Sequence, residues 1–504
     1  MTGSLGAGTI LRPQGRLTMS LPRFQSKTHG DTGAAPKLHV VTFGCQMNKY
    51  DSLSVEGKFR RQGWQTTEAI DEADLVLFNT CSVREHAEER VFSWVGELRK
   101  AKERRPELMV GVMGCMAERL GDEIYGRSPV VDLVVGTRSF QHLPALVDEL
   151  REKRAAHPAR TPRITRLGFD EEPDAARADE PYVGGRHAYL TVMRGCDLNC
   201  TFCIVPKVRG RVLSRGIEAI VDEARWMIDS GAQVITLLGQ TVNSWGEDLA
   251  APAEGEPRGR GRQGRPALAD LLYRLQELSG LARLRLITLH PSYVTPALGQ
   301  ALRDCDKCDR FLPLPAQSGS DDVLRRMKRG YTTDLYRRRA DILREHCPDI
   351  ELGTDWIVGF PGETDADFAA TESFIAEQRF VVNYVFQYSP RPSTAAEALP
   401  DDVPAAIKRE RNNRLLELAE SVQLARLREN IGRTLPVFVE EPHDKHEGLL
   451  RARAHTGLSV SLKGATTLVG TTQSVKIEDC TAYSLAGTLA SELPAPPPEP
   501  APAH

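Results

Sequence analysis

The feature that most restricts the fold is a repeated switch between short apolar runs and helix-length amphipathic stretches, which sets in near Lys37 and, after an interruption, returns near Ala188. Residues 38–43, 74–78, 108–112 and 131–135 are short runs rich in β-branched and large apolar side chains, each followed by a polar–apolar segment long enough for a helix. Strands and helices that alternate in this way predict an open α/β sheet over residues 37–154. From 188 to about 414 the rhythm resumes, with candidate strands at 190–193, 234–238, 284–289, 311–314, 350–358 and 383–388 and helices such as 217–230 and 267–278 between them. Six strands in this pattern predict a partial (β/α)6 barrel of the triosephosphate isomerase type, whose chemistry gathers at the carboxyl-end loops.

The remaining segments read differently. Residues 155–181 are charged, contain proline and lack periodicity, which predicts a linker, and 250–265 is an exposed Gly/Pro/Arg-rich insertion. Short segments at 437–440, 458–462 and 473–477, separated by glycine, predict a small all-β module. A chain of 504 residues is too long for one core. The expected organisation is a leader over 1–36, an α/β domain over 37–154, the linker, a barrel core over 182–418, the β module over 422–488 and a Pro/Ala-rich disordered tail over 489–504.

Cysteine placement points to chemistry. Cys196, Cys200 and Cys203 stand as C-x3-C-x2-C just after a candidate strand, offering three thiolates and no nearby fourth. A four-iron cluster held there has one iron free to bind a substrate. A zinc knuckle needs a fourth closed ligand, and Asp197 and Asn199 are poor substitutes. Cys45, Cys81 and Cys115 each follow one of the first three candidate strands, so the topology brings them to one edge of one sheet and predicts a second cluster site. The bland alternative is three small buried residues at strand ends.

The formal charge of −3 excludes a uniformly basic nucleic-acid coat. RNA contact is left to local patches such as residues 325–329 or 337–339, which read equally well as solvated helix faces. No apolar run approaches the ~18 residues of a membrane span. Ten cysteines in so long a chain, clustered at C-x3-C and at strand ends, fit reduced cytoplasmic thiols better than a disulfide scaffold. Arg12, Arg16, Arg23 and Lys27, with few acids around them, leave the leader readable as disordered, as a transit peptide or as a misassigned start.

Two cysteine trios in this order, followed by a small β module, resemble the methylthiotransferase family of radical S-adenosylmethionine enzymes over roughly residues 38–487. The resemblance is carried by Gly44-Cys45-Gln46-Met47-Asn48 with Tyr50-Asp51-Ser52, Gly239-Gln240-Thr241-Val242-Asn243, Leu314-Pro315-Ala316-Gln317-Ser318-Gly319-Ser320 and Ile357-Val358-Gly359-Phe360-Pro361-Gly362-Glu363-Thr364. Within that family it is nearest the tRNA-2-methylthio-N6-dimethylallyladenosine synthase branch, the MiaB type. The resemblance implies two 4Fe-4S clusters, a radical-generating one on Cys196, Cys200 and Cys203 and a sulfur-handling auxiliary one on Cys45, Cys81 and Cys115. It also implies S-adenosylmethionine as cofactor, contacted by Phe202, Gly239, Gln240, Gln317, Ser318 and Gly359, and a TRAM domain that binds RNA. The implied activity is methylthiolation of N6-dimethylallyladenosine at position 37 in the anticodon loop of tRNA. Implied partners are an electron donor such as flavodoxin or ferredoxin and iron–sulfur and sulfur donor proteins, with the chain itself a cytoplasmic monomer.

Related activities on threonylcarbamoyladenosine or on an aspartate of a ribosomal protein stay open, as does a non-catalytic iron–sulfur RNA-binding protein. Cys305 and Cys308 form a C-x2-C without a second pair, which predicts no metal site. Cys347 and Cys480 read as structural, and His290 as a satisfied loop histidine.

Overall fold

The computed structural model describes residues 35–82, 85–157, 161–169, 184–255 and 257–490. The expected leader, the tail and most of the expected linker lie outside these residues.

Six parallel strands build the first sheet, in the order Gln65–Thr66, Lys37–Thr42, Leu75–Thr80, Met109–Gly114, Leu133–Val135, Ile164–Arg166. The two central strands, Leu75–Thr80 and Met109–Gly114, are buried at every residue. Val76, Phe78, Val110 and Val112 pack on the helix Glu85–Arg104, while Leu75, Leu77, Met109 and Met113 pack with Val55 and Phe59 of the helix Gln46–Arg61 and with Val147. Cover on both faces is why these runs read as continuously apolar rather than alternating. The stretch read as a linker needs correction, because Ile164–Arg166 is the sixth strand, in register Leu133↔Ile164 to Val135↔Arg166. Buried Ile164 and a hydrogen bond from Tyr125 Oη to its carbonyl (2.8 Å) hold it there.

Six further parallel strands form an open barrel in chain order: His187–Thr191, Val234–Leu238, Arg283–Leu286, Phe311–Pro313, Glu351–Val358 and Val382–Gln387. The third and fourth are joined by a single bridge, Leu284↔Cys308. Ala188, Leu190, Ile235, Leu237, Leu284 and Trp356 face outward into one large core beneath the helices. Helix starts carry the expected signals: Thr295 and Thr332 accept from the amides of Leu298 and Leu335, and Thr364 with Asp367 forms a capping box.

The last part is a closed five-stranded barrel, Thr434–Pro442, Leu449–Ala454, Ser459–Lys463, Leu485–Leu489, Thr472–Cys480, back to the first. It sits against the starting ends of the large barrel's strands. Glu440 pairs with Arg285, His455 hydrogen-bonds the carbonyl of Cys308, and Gln233 donates to the carbonyl of Gly470 (3.1 Å). The small barrel thus forms the floor of the large one, opposite the carboxyl ends of its strands.

Candidate active site

Cys196, Cys200 and Cys203 occupy the loop above the first barrel strand, before the short helix Val205–Arg209. Cys196 and Cys200 are buried and Cys203 partly so. Burial pushes the Cys203 thiol up to about 11, with the neighbouring Cys200 and Cys196 adding to the effect. Two other loops converge on the trio. Thr241, above the second strand, places its hydroxyl 3.4 Å from Cys196 Sγ, and Arg329 donates from Nη1 to Cys200 Sγ at 3.3 Å.

Cys45 opens the helix Gln46–Arg61, Cys81 follows the strand Leu75–Thr80, and Cys115 opens the helix Cys115–Leu120. Glycine makes this approach possible. At Gly44 (φ +121°) a Cβ would stand 2.6 Å from that of Cys81, and at Gly114 (φ +98°) it would meet the Thr80 carbonyl oxygen at 2.6 Å. Burial raises the Cys115 thiol; Arg209 opposes this and nearby Cys45 adds to it.

The two trios are neighbours. Ile204 and Val208, which follow Cys203, bury themselves with Cys115 in one apolar cluster. Beneath it Asp51, fully buried, accepts from Arg194 Nη1 (2.9 Å) and Arg209 Nη2 (3.1 Å). Burial works against the Arg209 charge, but Cys115, Asp51 and Cys45 outweigh it and hold its pKa above the ordinary value. Tyr50 donates to Glu223 (3.0 Å), which also pairs with Arg215 (2.6 Å). The segment 45–52 therefore carries Cys45 and also forms the domain interface.

These residues fit iron–sulfur clusters by chemistry. Each trio is all thiol, and the thiols that burial holds protonated, Cys115, Cys196 and Cys203, become thiolates when a metal supplies the positive charge. Among the described residues no three His, Cys, Asp or Glu side chains close on the position of a single metal ion. A cubane, unlike a lone ion, takes each thiolate on a different iron and so spreads its ligands more widely.

The cofactor-contact candidates divide into two groups. Gln240 has a buried Oε1 without a hydrogen bond partner. Gln317 is held left-handed (φ 68°) by backbone bonds to Asp355 and Ile357, at a cost of about 1–2 kcal/mol. The others already have local partners. Ser318 Oγ accepts from the Ser320 amide (3.1 Å), Phe202 packs on the cluster of Val323, Met327 and Phe360, a Cβ at Gly239 would strike Met193, and one at Gly359 would strike Lys408.

Cys305 and Cys308 lie buried at the opposite end of the barrel, where a hydrogen bond between their thiols lowers Cys305 and raises Cys308. Cys347 is buried in the large core and Cys480 packs against the small barrel's core. His290 is held by Asn243 through both of its backbone groups and its Nδ1 accepts from the Ser292 amide (3.3 Å), but its buried Nε2 has no hydrogen bond partner among the described residues, so the ring is not fully satisfied as expected; burial with Arg329 nearby lowers its pKa to about 2.

Sequence reasoning missed the roles of Asp51, Arg194, Arg209 and Arg329. Arg329 ends a basic run that reads as an RNA patch or a solvated face; it is instead buried, bound to Cys200 and Tyr331. Arg337, by contrast, is a partly exposed helix-face residue paired with Glu377.

Comparison with known proteins follows the same three parts. Residues 37–136 match the uncharacterized protein family UPF0004, 190–375 the radical SAM superfamily and 428–490 the TRAM domain. Among solved structures, the radical S-adenosylmethionine methyltransferase TsrM from Kitasatospora setae, with cobalamin and a [4Fe-4S] cluster bound, aligns with TM-score 0.51 at 16% identity over 72% of this chain and 77% of its own. The cobalamin-dependent S-adenosylmethionine radical enzyme OxsB aligns with TM-score 0.51 at 11% identity over 77% of this chain and 56% of its own. Both likenesses concern the fold alone, which together with the superfamily match defines a radical S-adenosylmethionine enzyme. The tRNA-2-methylthio-N(6)-dimethylallyladenosine synthase of Clostridium beijerinckii is 37% identical over 456 residues, 89% of this chain and 95% of that protein. The chain belongs to the radical S-adenosylmethionine methylthiotransferase family of that MiaB type.

Proposed function

We propose that this protein methylthiolates tRNA, converting N6-dimethylallyladenosine at position 37 to its 2-methylthio derivative. The observation that carries the reading is the packing of one thiol trio against the other through Ile204, Val208 and Cys115. S-adenosylmethionine and two 4Fe-4S clusters supply one-electron chemistry, a sulfur and a methyl group. In this reading Cys196, Cys200 and Cys203 hold the radical-generating cluster and Cys45, Cys81 and Cys115 the auxiliary one. Arg329 and Arg209 place a fixed cation beside each trio. Gln240 and Gln317 meet the cofactor, while Phe202, Gly239, Ser318 and Gly359 shape the loops that present them. The work is divided among the first sheet domain, residues 37–166, and residues 182–418 and 422–488. Among the described residues no helix is long and apolar enough to cross a membrane. A cytoplasmic monomer served by a flavodoxin or ferredoxin and by iron–sulfur and sulfur donors completes the proposal.

The test is mass spectrometry of tRNA nucleosides from a strain lacking its own enzyme and expressing this chain. Restored 2-methylthio-dimethylallyladenosine supports the assignment. A 2-methylthio-threonylcarbamoyl product, or no methylthiolated nucleoside at all, rejects it. With purified protein, Cys200→Ala should abolish both 5'-deoxyadenosine formation and methylthiolation, whereas Cys81→Ala should abolish only methylthiolation. Product from the Cys81 variant would remove the sulfur-handling role from that trio.

A further inference from the structure

Strand pairing in the last third of the large barrel sets Asp355 opposite Tyr384 and Ile357 opposite Phe386. In a parallel pair such partners point to the same face. The alternate residue Trp356 points outward, where its ring lies 6.3 Å from Phe374 and 5.7 Å from Phe380 under the covering helix. Asp355, Ile357, Tyr384 and Phe386 therefore face the barrel interior. A ring inside a barrel is normally buried, yet Tyr384 is 52% and Phe386 50% exposed. The reason is topological: Val382–Gln387 pairs on one side only among the described residues, so the barrel is open along this strand. Of the large apolar residues exposed in the described part of the chain, only these two stand two residues apart on one strand face. Continuing upward, the same strand leads to Arg391, whose guanidinium donates to the Ser82 carbonyl (3.4 Å) next to Cys81. The aromatic pair thus stands at the open side of the barrel, on the strand whose continuation reaches the loop that carries Cys81.

Two rings beside Asp355 offer far less than the ~800 Å² per partner of a stable protein interface. They suit one flat, π-faced group with polar edges. Unstacked bases of single-stranded RNA loops are bound in this manner, on aromatic side chains with polar groups at the base edge. We infer that Tyr384 and Phe386 form a stacking subsite for a nucleobase of the RNA substrate, with Asp355 at its edge. The inference rests on the proposal that the chain acts on tRNA.

The test uses the full-length protein and an anticodon stem-loop RNA carrying 2-aminopurine at position 37. Stacking on binding should quench the probe. Tyr384→Ala and Phe386→Ala should each weaken binding by roughly 5- to 150-fold, the ratio corresponding to ~1–3 kcal/mol per stacked base. Tyr384→Phe should restore it, and Phe386→Leu, which keeps apolar bulk without a ring, should not. If the wild-type protein binds and the alanine variants bind equally well, the subsite is wrong while the tRNA reading stands. If the wild type does not bind the RNA, both fall. Loss of S-adenosylmethionine binding with RNA affinity intact would give the rings to the cofactor's adenine and also overturn the inference.

Discussion

Single side chains carry most of what the amino-acid order concealed. The six cysteines were legible because C-x3-C-x2-C is a local spacing and because strand ends could be located around the other three. Arg329 was not, since its partner Cys200 lies 129 positions away and nothing near Arg329 distinguishes it from the solvated arginines around it. Asp355 is a similar case. Burial pushes its carboxyl up to about 6 despite the nearby Arg329, from an ordinary 3.8. The folded protein therefore holds a proton there that the unfolded chain releases earlier, so this residue's contribution is full below about pH 4 and is lost as pH rises through about 6. Asp355→Asn should remove that penalty and gain up to about 3 kcal/mol at pH 7.5, with little gain at pH 4. Urea unfolding at the two pH values checks it; an equal gain at both would deny the carboxyl its unusual titration.

At the level of elements, the strands rich in buried apolar residues announced themselves, even the three-residue Leu133–Val135, and the exposed or alanine-rich ones did not. Gln65–Thr66 and Ile164–Arg166 hold two and three residues at the sheet edges, mostly exposed, too short to show a period. Leu449–Ala454 escaped because two of its three inward residues are alanines set between outward arginines. Nor did the motif from Gly44 to Ser52 show that its helix joins two domains. Asp51 is the hinge-pin of that joint, and removing it leaves Arg194 and Arg209 buried without their carboxylate. Asp51→Ala should cost about 3–5 kcal/mol, against much less for an exposed pair such as Arg99–Glu103. Hydrogen exchange should show the loss at helix Gln46–Arg61 and strand His187–Thr191 together. Protection lost from the first alone would mean the domains are held by other contacts.

For the whole molecule, the placement of the TRAM barrel changes how its role has to be tested. Cutting the chain before Thr434 should weaken tRNA binding, but it also uncovers Arg285, Asp309 and Phe311, which the module covers. Such a truncation should lower the unfolding temperature of the large barrel and open it to proteases, whatever happens to RNA. Lys463→Gln with Lys476→Gln, both on the module's exposed face, separates the two effects. Affinity for tRNA should fall and the salt slope flatten by roughly one for each phosphate that is no longer neutralised, with unfolding unchanged. An unaltered slope would place the RNA grip elsewhere. The floor is also later in the chain than everything it covers. A ribosome making this protein completes both thiol trios and all six strands of the large barrel while the far end still gapes, and the emerging polypeptide closes its barrel and gains its hold on tRNA at the same moment.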